Sequence, residues 1–198
     1  MNKQLVIIGA SGHGKVIADI AVKNGYEEIV FLDDNECLEE CAGFPVVGRV
    51  KDANRFLGDK IVAIGNAEIR EEIQSKLNNV ITLIHPSATI SRRVKIGKGS
   101  VVMAGAVINS DVIIGEGCII NTCSSVDHDC IIKDYVHISV GAHVAGTVTV
   151  RKGTWIGAGA TISNNISVCS NCIIGAGAVI INDIQESGIY IGVPAKKK

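Results

Sequence analysis

From Ile84 onward the chain places a branched aliphatic residue at every sixth position. Ile84, Ile90, Ile96, Val102, Ile108, Ile114, Ile120, Val126, Ile132, Ile138, Val144, Val150, Ile156, Ile162, Val168, Ile174 and Ile180 follow this rule without a break. Four residues after each, the side chain is usually small, as at Ala88, Ser100, Ala106, Cys118, Ser124, Cys130, Ala142, Thr154, Ala160, Cys172 and Ala178. One branched and one small position per hexapeptide is the signature of a parallel β-helix. Each hexapeptide makes one face, three faces make a coil of about eighteen residues, and each aliphatic stacks on the one a coil further on. The run predicts roughly five to six coils. A solenoid leaves its ends open, and an N-terminal domain is expected to cap one of them.

Residues 3–84 follow another pattern. The short runs "QLVII", "EIVFLD", "KIVAIG" and "VITLI" alternate with helical patterns over about 13–24, 52–57 and 67–77. Strand and helix in turn predict a small parallel sheet built from βαβ units. The expected fold is thus α/β plus all-β: a Rossmann-like domain over residues 1–83, then a left-handed parallel β-helix with a short tail over 84–198. Ligands of open parallel sheets bind beyond the carboxyl ends of the strands. Here those ends carry Gly9 to Gly14, Asp33 with Asp34, and Gly65 with Asn66.

Charge narrows the partners. The net charge is -1 and the lysines and arginines form no long stripe, which argues against nucleic acid or an anionic membrane. Met1 leads directly into a strand-like run, and no apolar run reaches membrane-spanning length, so a cytoplasmic protein is expected. Seven cysteines, an odd number, suit reduced thiols. The repeat assigns Cys118, Cys130 and Cys172 to the core as small fillers. Cys169 and Cys172 form a C-x-x-C pair, but no second pair stands at zinc spacing, so no metal is expected.

The loop "GASGHGK" fits the Walker A spacing from Gly9 to Lys15, yet Val16 stands where a magnesium-binding Ser or Thr belongs. It also half fits the dinucleotide fingerprint, with Ser11 in place of the middle glycine. The loop still suits the phosphates of a nucleotide, held by backbone N–H groups at a helix N-terminus around Gly9, Ser11, Gly12 and His13. Asp33 and Asp34 would then face the base or ribose.

Three of five histidines, His128, His137 and His143, cluster in neighbouring coils. His128 stands between Asp127 and Asp129, and either carboxylate could accept from one imidazole nitrogen and leave the other to take a proton. Nine residues, half a coil, separate His128 from His137, so the two lie on different faces. Packing three prisms side by side would bring such faces together, which predicts a homotrimer with active sites between subunits. Gly146, one coil after His128, could offer its N–H to an oxyanion. Gly157 and Gly175 could let a ligand lie against bare backbone. No histidine is spaced to activate Cys123 or Cys130, so no covalent intermediate on either is expected.

Taken together, the GASGHG loop, the "FLDD" strand end, "AIGN", the hexapeptide coil with "SSVDHD" and "VHISVGAHVAG", and the terminal "GVPAK" carry a family resemblance. The chain resembles the bacterial nucleotide-sugar N-acetyltransferases of the hexapeptide-repeat acyltransferase superfamily. It is most similar to those that acetylate the 4-amino group of a UDP-linked amino-dideoxy sugar on the way to diacetylbacillosamine. The resemblance implies a homotrimer, a nucleotide sugar held by the N-terminal domain, and acetyl-CoA along the outside of the β-helix. The family's catalytic His-Glu pair falls on His128 and Asp129, with a carboxylate one methylene shorter. The resemblance also places His137 near the thioester or pantetheine arm, and assigns the oxyanion donor to Gly146. Alternatives are O-acetylation of a sialic acid, or N-acetylation of a dTDP- or GDP-linked 4-amino sugar. Two further classes are a gamma carbonic anhydrase-like zinc hydratase and a non-catalytic sugar-nucleotide-binding partner.

Overall fold

The structure, a computed structural model, describes residues 3–198. It divides into two compact units, one ending at Pro86 and one spanning Ser87–Lys198.

The first unit runs β1 (Gln4–Ile8), α1 (Gly12–Lys23), β2 (Glu28–Leu32), β3 (Glu40–Cys41), β4 (Phe44–Gly48), a 3-10 turn (Val50–Arg55), β5 (Asp59–Val62) and α2 (Ala67–Ser75). The sheet order is β3-β4-β2-β1-β5. All neighbours pair in parallel except β3 and β4. In β1, Leu5 to Ile8 are fully buried, as a central strand covered on both faces requires. α1 turns Ile17, Ala18, Ile20 and Ala21 inward, one stripe of an amphipathic helix.

Two segments differ from the sequence expectation. The loop after β2 contains the β3–β4 hairpin, whose turn residues Ala42 and Gly43 both have positive φ, 54° and 79°. Such a turn usually announces itself as Asn-Gly or Asp-Gly, and Ala42 hides it. The run "VITLI" is not one strand: Val80 makes a single bridge to Lys60, and only Leu83–Ile84 forms strand.

The second unit repeats a two-residue strand every six residues. Residues eighteen apart pair in parallel, as in the row Val107, Ser125, His143, Thr161, Val179. The three faces carry six, five and eight strands; two of the eight are the C-terminal strands Ile189–Ile191 and Lys196–Lys197, and the rest fit a prism of five to six coils. The second residue of each pair fills the interior: Ile108, Val126, Val144 and Ile162 are buried. Cys118, Cys130 and Cys172 are buried with them at the small positions.

Polar groups at the small positions are satisfied between coils. Ser100 Oγ donates to Gly115 O at 2.9 Å and accepts from Cys118 N at 3.0 Å. Thr154 Oγ1 donates to Cys169 O at 2.8 Å and accepts from Cys172 N at 3.2 Å. The Cys118 and Cys130 thiols donate to Lys133 O at 3.2 Å and Ala145 O at 3.0 Å. A hydroxyl or thiol in this interior thereby avoids the cost of an unpaired buried group. Between faces, the chain turns through residues of positive φ, mostly glycine, Asn or Asp, including Asp111, Asp129, Asn165 and Asn171.

Candidate active site

His128 and Asp129 lie at the corner that follows the Ser125–Val126 strand. Asp129 takes the left-handed turn itself, with φ 59°, a conformation Asp tolerates better than most side chains. The turn swings its carboxylate back, and Asp129 Oδ2 lies 2.8 Å from His128 Nδ1. An ionised carboxylate only accepts, so Nδ1 carries the proton and the neutral ring presents its lone pair at Nε2. Asp127 has other partners: its Oδ1 accepts from Asn109 Nδ2 at 2.7 Å and from the His128 backbone N–H at 2.8 Å. The geometry thus pairs the imidazole with Asp129, and Asp127 supports the backbone beneath it.

Electrostatics follow the same contacts. The Asp129 hydrogen bond, then the Asp127 charge, raise the His128 pKa above its ordinary value. The Asn109 hydrogen bond, then the His128 N–H, hold the Asp127 carboxyl below its ordinary value.

Gly146 lies against the ring one coil away, as the repeat predicted. A Cβ there would come within 2.7 Å of His128 Cε1 and Nε2, so only glycine leaves the ring its place. His137 stands on another face. Its Nε2 is 3.1 Å from Asn121 Nδ2, and its ring stacks on Trp155 with centroids 5.7 Å apart and planes 2° from parallel. Trp155 Nε1 donates to Ser139 Oγ at 2.6 Å. His143 Nδ1 meets Ser125 Oγ at 2.9 Å on the six-stranded face. The three histidines do not converge, and among the described residues no group of three or more His, Cys, Asp or Glu side chains could hold a metal ion.

Gly157 and Gly175 have a packing role that the sequence reading did not foresee. A Cβ on Gly157 would lie 2.5 Å from Ile174 O, and one on Gly175 would lie 2.7 Å from Ile191 Cγ2. The next stretch of chain occupies the space expected for a ligand at those two positions. Asn109, Asn121, Ser139 and Trp155, which brace the candidate residues, were not foreseen in that reading. Their signal was available: each lies sixteen or eighteen residues from its partner, close to one coil.

In the first unit, Gly9 and Gly14 let the loop fold onto the sheet. Gly9 has φ 109° and a Cβ on it would meet Ala63 O at 2.9 Å, while one on Gly14 would strike Gly9 O. Ser11 is the N-cap of α1 without a side-chain cap bond, and no acidic residue stands in the first turn. Ser11 and Gly12 are exposed, so the helix N-terminus is open to an anion there.

The other residues expected to meet the nucleotide have internal contacts of their own. His13 turns inward, its Nε2 buried without a partner, and burial followed by the nearby Arg70 charge lowers its pKa to about 4. Its Nε2 therefore does not face the open end of the helix. Asp33 braces the loop, with Oδ2 accepting from Ala10 N at 2.7 Å and Oδ1 from Asn35 N at 2.9 Å. Asn66 caps α2 by accepting from Ile69 N at 3.0 Å, and the Gly65 carbonyl accepts from Arg70 at 2.9 Å. Asp34 Oδ1 accepts from Val50 N at 3.1 Å, and the residue borders a cavity of about 730 Å³ between the 3-10 turn and α2, walled by Val50, Ala53, Ile69, Ile73 and Leu77.

The fold and these pairings define a hexapeptide-repeat transferase, and comparison with known proteins agrees. Residues 4–77 match the PglD N-terminal domain, and residues 93–128 and 147–182 match the bacterial transferase hexapeptide family. The acetyltransferase domain of PglB from Neisseria gonorrhoeae FA1090 is 42% identical, with both chains fully covered and a TM-score of 0.95. The same domain in complex with acetyl coenzyme A gives a TM-score of 0.96. PerB from Caulobacter crescentus, in complex with CoA and GDP-perosamine, is 34% identical over all of this chain and 98% of its own, with a TM-score of 0.93. UDP-N-acetylbacillosamine N-acetyltransferase of Bacillus subtilis is 37% identical over 112 residues, and the match spans 52% of that relative. The chain belongs to the family of sugar N-acetyltransferases that join a PglD-type N-terminal domain to a hexapeptide β-helix.

Proposed function

We propose that this chain is an acetyl-CoA-dependent N-acetyltransferase that acetylates the 4-amino group of a nucleotide-linked amino-dideoxy sugar, with UDP as the nucleotide. The observation that carries the reading is the His128–Asp129 pair at 2.8 Å with the imidazole laid against Gly146. The 4-amine attacks the thioester carbonyl, His128 Nε2 takes the amine proton, and coenzyme A leaves as the thiol. Asp129 holds the ring and balances the imidazolium, and the Gly146 N–H faces the developing oxyanion. His137, fixed by Asn121 and Trp155, lies beside the pantetheine arm. The N-terminal domain grips the nucleotide: the α1 N-terminus takes the diphosphate, and Asp34 with the apolar cavity takes the base and ribose. The assembly is a homotrimer.

A GDP-linked acceptor is the second reading, favoured by the likeness to the GDP-perosamine complex of PerB. Release of free thiol from acetyl-CoA, measured with UDP-, GDP- and dTDP-linked 4-amino sugars, tests both. The UDP sugar is expected to give the highest kcat/KM. Preference for GDP establishes the second reading, and no thiol release with any of the three removes the acyl-transfer assignment.

A further inference from the structure

We infer that Cys169 and Cys172 form a reversible dithiol–disulfide site at the far end of the β-helix, entered through Cys169 by small anionic disulfides of the glutathione class. Three independent observations place it there. First, the two sulfurs lie 3.3 Å apart, inside a single turn of chain, so a small rotation would bring them to the ~2.05 Å of a disulfide bond.

Second, Cys172 lacks the tight acceptor its counterparts have. Cys118 and Cys130 occupy the same repeat position and donate to carbonyls at 3.2 and 3.0 Å in the next coil. Beyond Cys172 the coil is irregular, and its nearest carbonyls, Glu186 O and Ser170 O, stand off at 3.7 and 3.9 Å. The Cys172 sulfur turns to Cys169 instead. Burial, then the hydrogen bond to Cys169, push its pKa up, and the thiol is enclosed where that of Cys169 is not, which makes it the resolving thiol and not the first to react.

Third, Cys169 is reachable. It is half-buried and borders an open cavity of about 620 Å³ together with Arg151, Ser170, Gln185, Ser187 and Asp183, whose Oδ1 already accepts from Ser167 N at 2.8 Å. The Arg151 guanidinium is suited to the carboxylates of a glutathione-like disulfide.

The chemistry balances as two successive exchanges. The Cys169 thiolate attacks one sulfur of the small disulfide and expels one small thiolate, leaving a mixed disulfide. Cys172 then attacks the Cys169 sulfur, loses its proton to solvent, and expels the second small thiolate. The protein pair is oxidised by two electrons and the small disulfide is reduced to two thiols.

The test uses the full chain in glutathione buffers, quenched with a maleimide and read by peptide mass. The expected product is an internal Cys169–Cys172 link, two hydrogens lighter than the dithiol, that dithiothreitol reverses. An internal disulfide depends on the ratio of glutathione disulfide to the square of glutathione. Diluting the buffer tenfold at a fixed ratio of the two should therefore raise the oxidised-to-reduced ratio about tenfold, whereas a mixed disulfide would not respond. Cys172→Ala is the control, because Ala106, Ala142, Ala160 and Ala178 fill the same repeat position and the coil accepts it. That variant should trap the glutathione adduct on Cys169. A wild-type chain that keeps the adduct without closing, or leaves both thiols free to the maleimide, overturns the inference. So does a Cys172→Ala chain that takes up no glutathione.

Discussion

At the residue scale the candidate chemistry rests on one imidazole and what surrounds it. Truncating His128 to Ala removes the proton acceptor but nothing from the first unit. We expect kcat to fall by about 10²- to 10⁴-fold with the KM for the nucleotide sugar nearly unchanged. Steady-state kinetics at saturating acetyl-CoA measure both, and near-normal turnover refutes the base assignment. Asp129→Asn is the sharper probe, since asparagine also tolerates the positive φ of this corner and keeps the backbone in place. The Asp129 carboxylate is the leading reason that the His128 pKa is raised. A base works only when deprotonated, so wild-type kcat/KM should climb with pH through the raised pKa. In Asp129→Asn that acid limb should move to lower pH while the plateau drops. An unmoved limb in a pH–rate profile shows that Asp129 does not govern the titrating group.

At the scale of elements, the half-buried His13, with its Nε2 fully enclosed, makes the first turn of α1 sensitive to acid. Its folded pKa of about 4 lies below the ordinary 6.5, so between these values the unfolded chain binds a proton that the folded chain does not. Stability is therefore lost as pH falls from 6.5 toward 4, by at most about 3 kcal/mol. Urea melts of wild type and His13→Phe at pH 7 and pH 4.5 measure this. The wild type should lose more stability on acidification than the variant, and equal losses place the acid sensitivity elsewhere. His13 also shows where legibility ends. The sixfold repeat announced the coil, its interior and the stacking of Gly146 on His128, because a period imposed by geometry survives in the sequence. The "GASGHG" loop announced a helix N-terminus, and α1 begins there at Gly12. The direction taken by the His13 side chain, the internal uses of Asp33 and Asn66, and the Ala42–Gly43 hairpin have no period behind them. Tertiary contacts set them, and a linear motif does not encode which of two neighbours a carboxylate or amide will choose.

At the scale of the whole molecule, exposure along one face of the β-helix argues for assembly. Outward positions of a monomeric solenoid should be polar, yet this face carries Trp155, Ile173 and Ile189 with 50%, 43% and 43% of their surface exposed, and Val140 stands exposed at its corner. Trp155, Ile173 and Ile189 sit in register on successive strands, so they form one continuous apolar strip and not isolated surface residues. The strip contains His137 at its upper end, beside Trp155. A contact that buries it would therefore bring a second copy up to the candidate acetyl-CoA face, and a ring of three copies satisfies a head-to-tail contact of this kind. Light scattering should give a particle of about three chain masses, each 20.8 kDa. Ile173→Glu puts a charge at the middle of the strip without touching His128, Asp129 or Gly146. It should yield folded monomers whose acetylation rate falls at least tenfold while nucleotide-sugar binding by the N-terminal unit persists. An Ile173→Glu chain that is monomeric and fully active would place the complete site within one subunit.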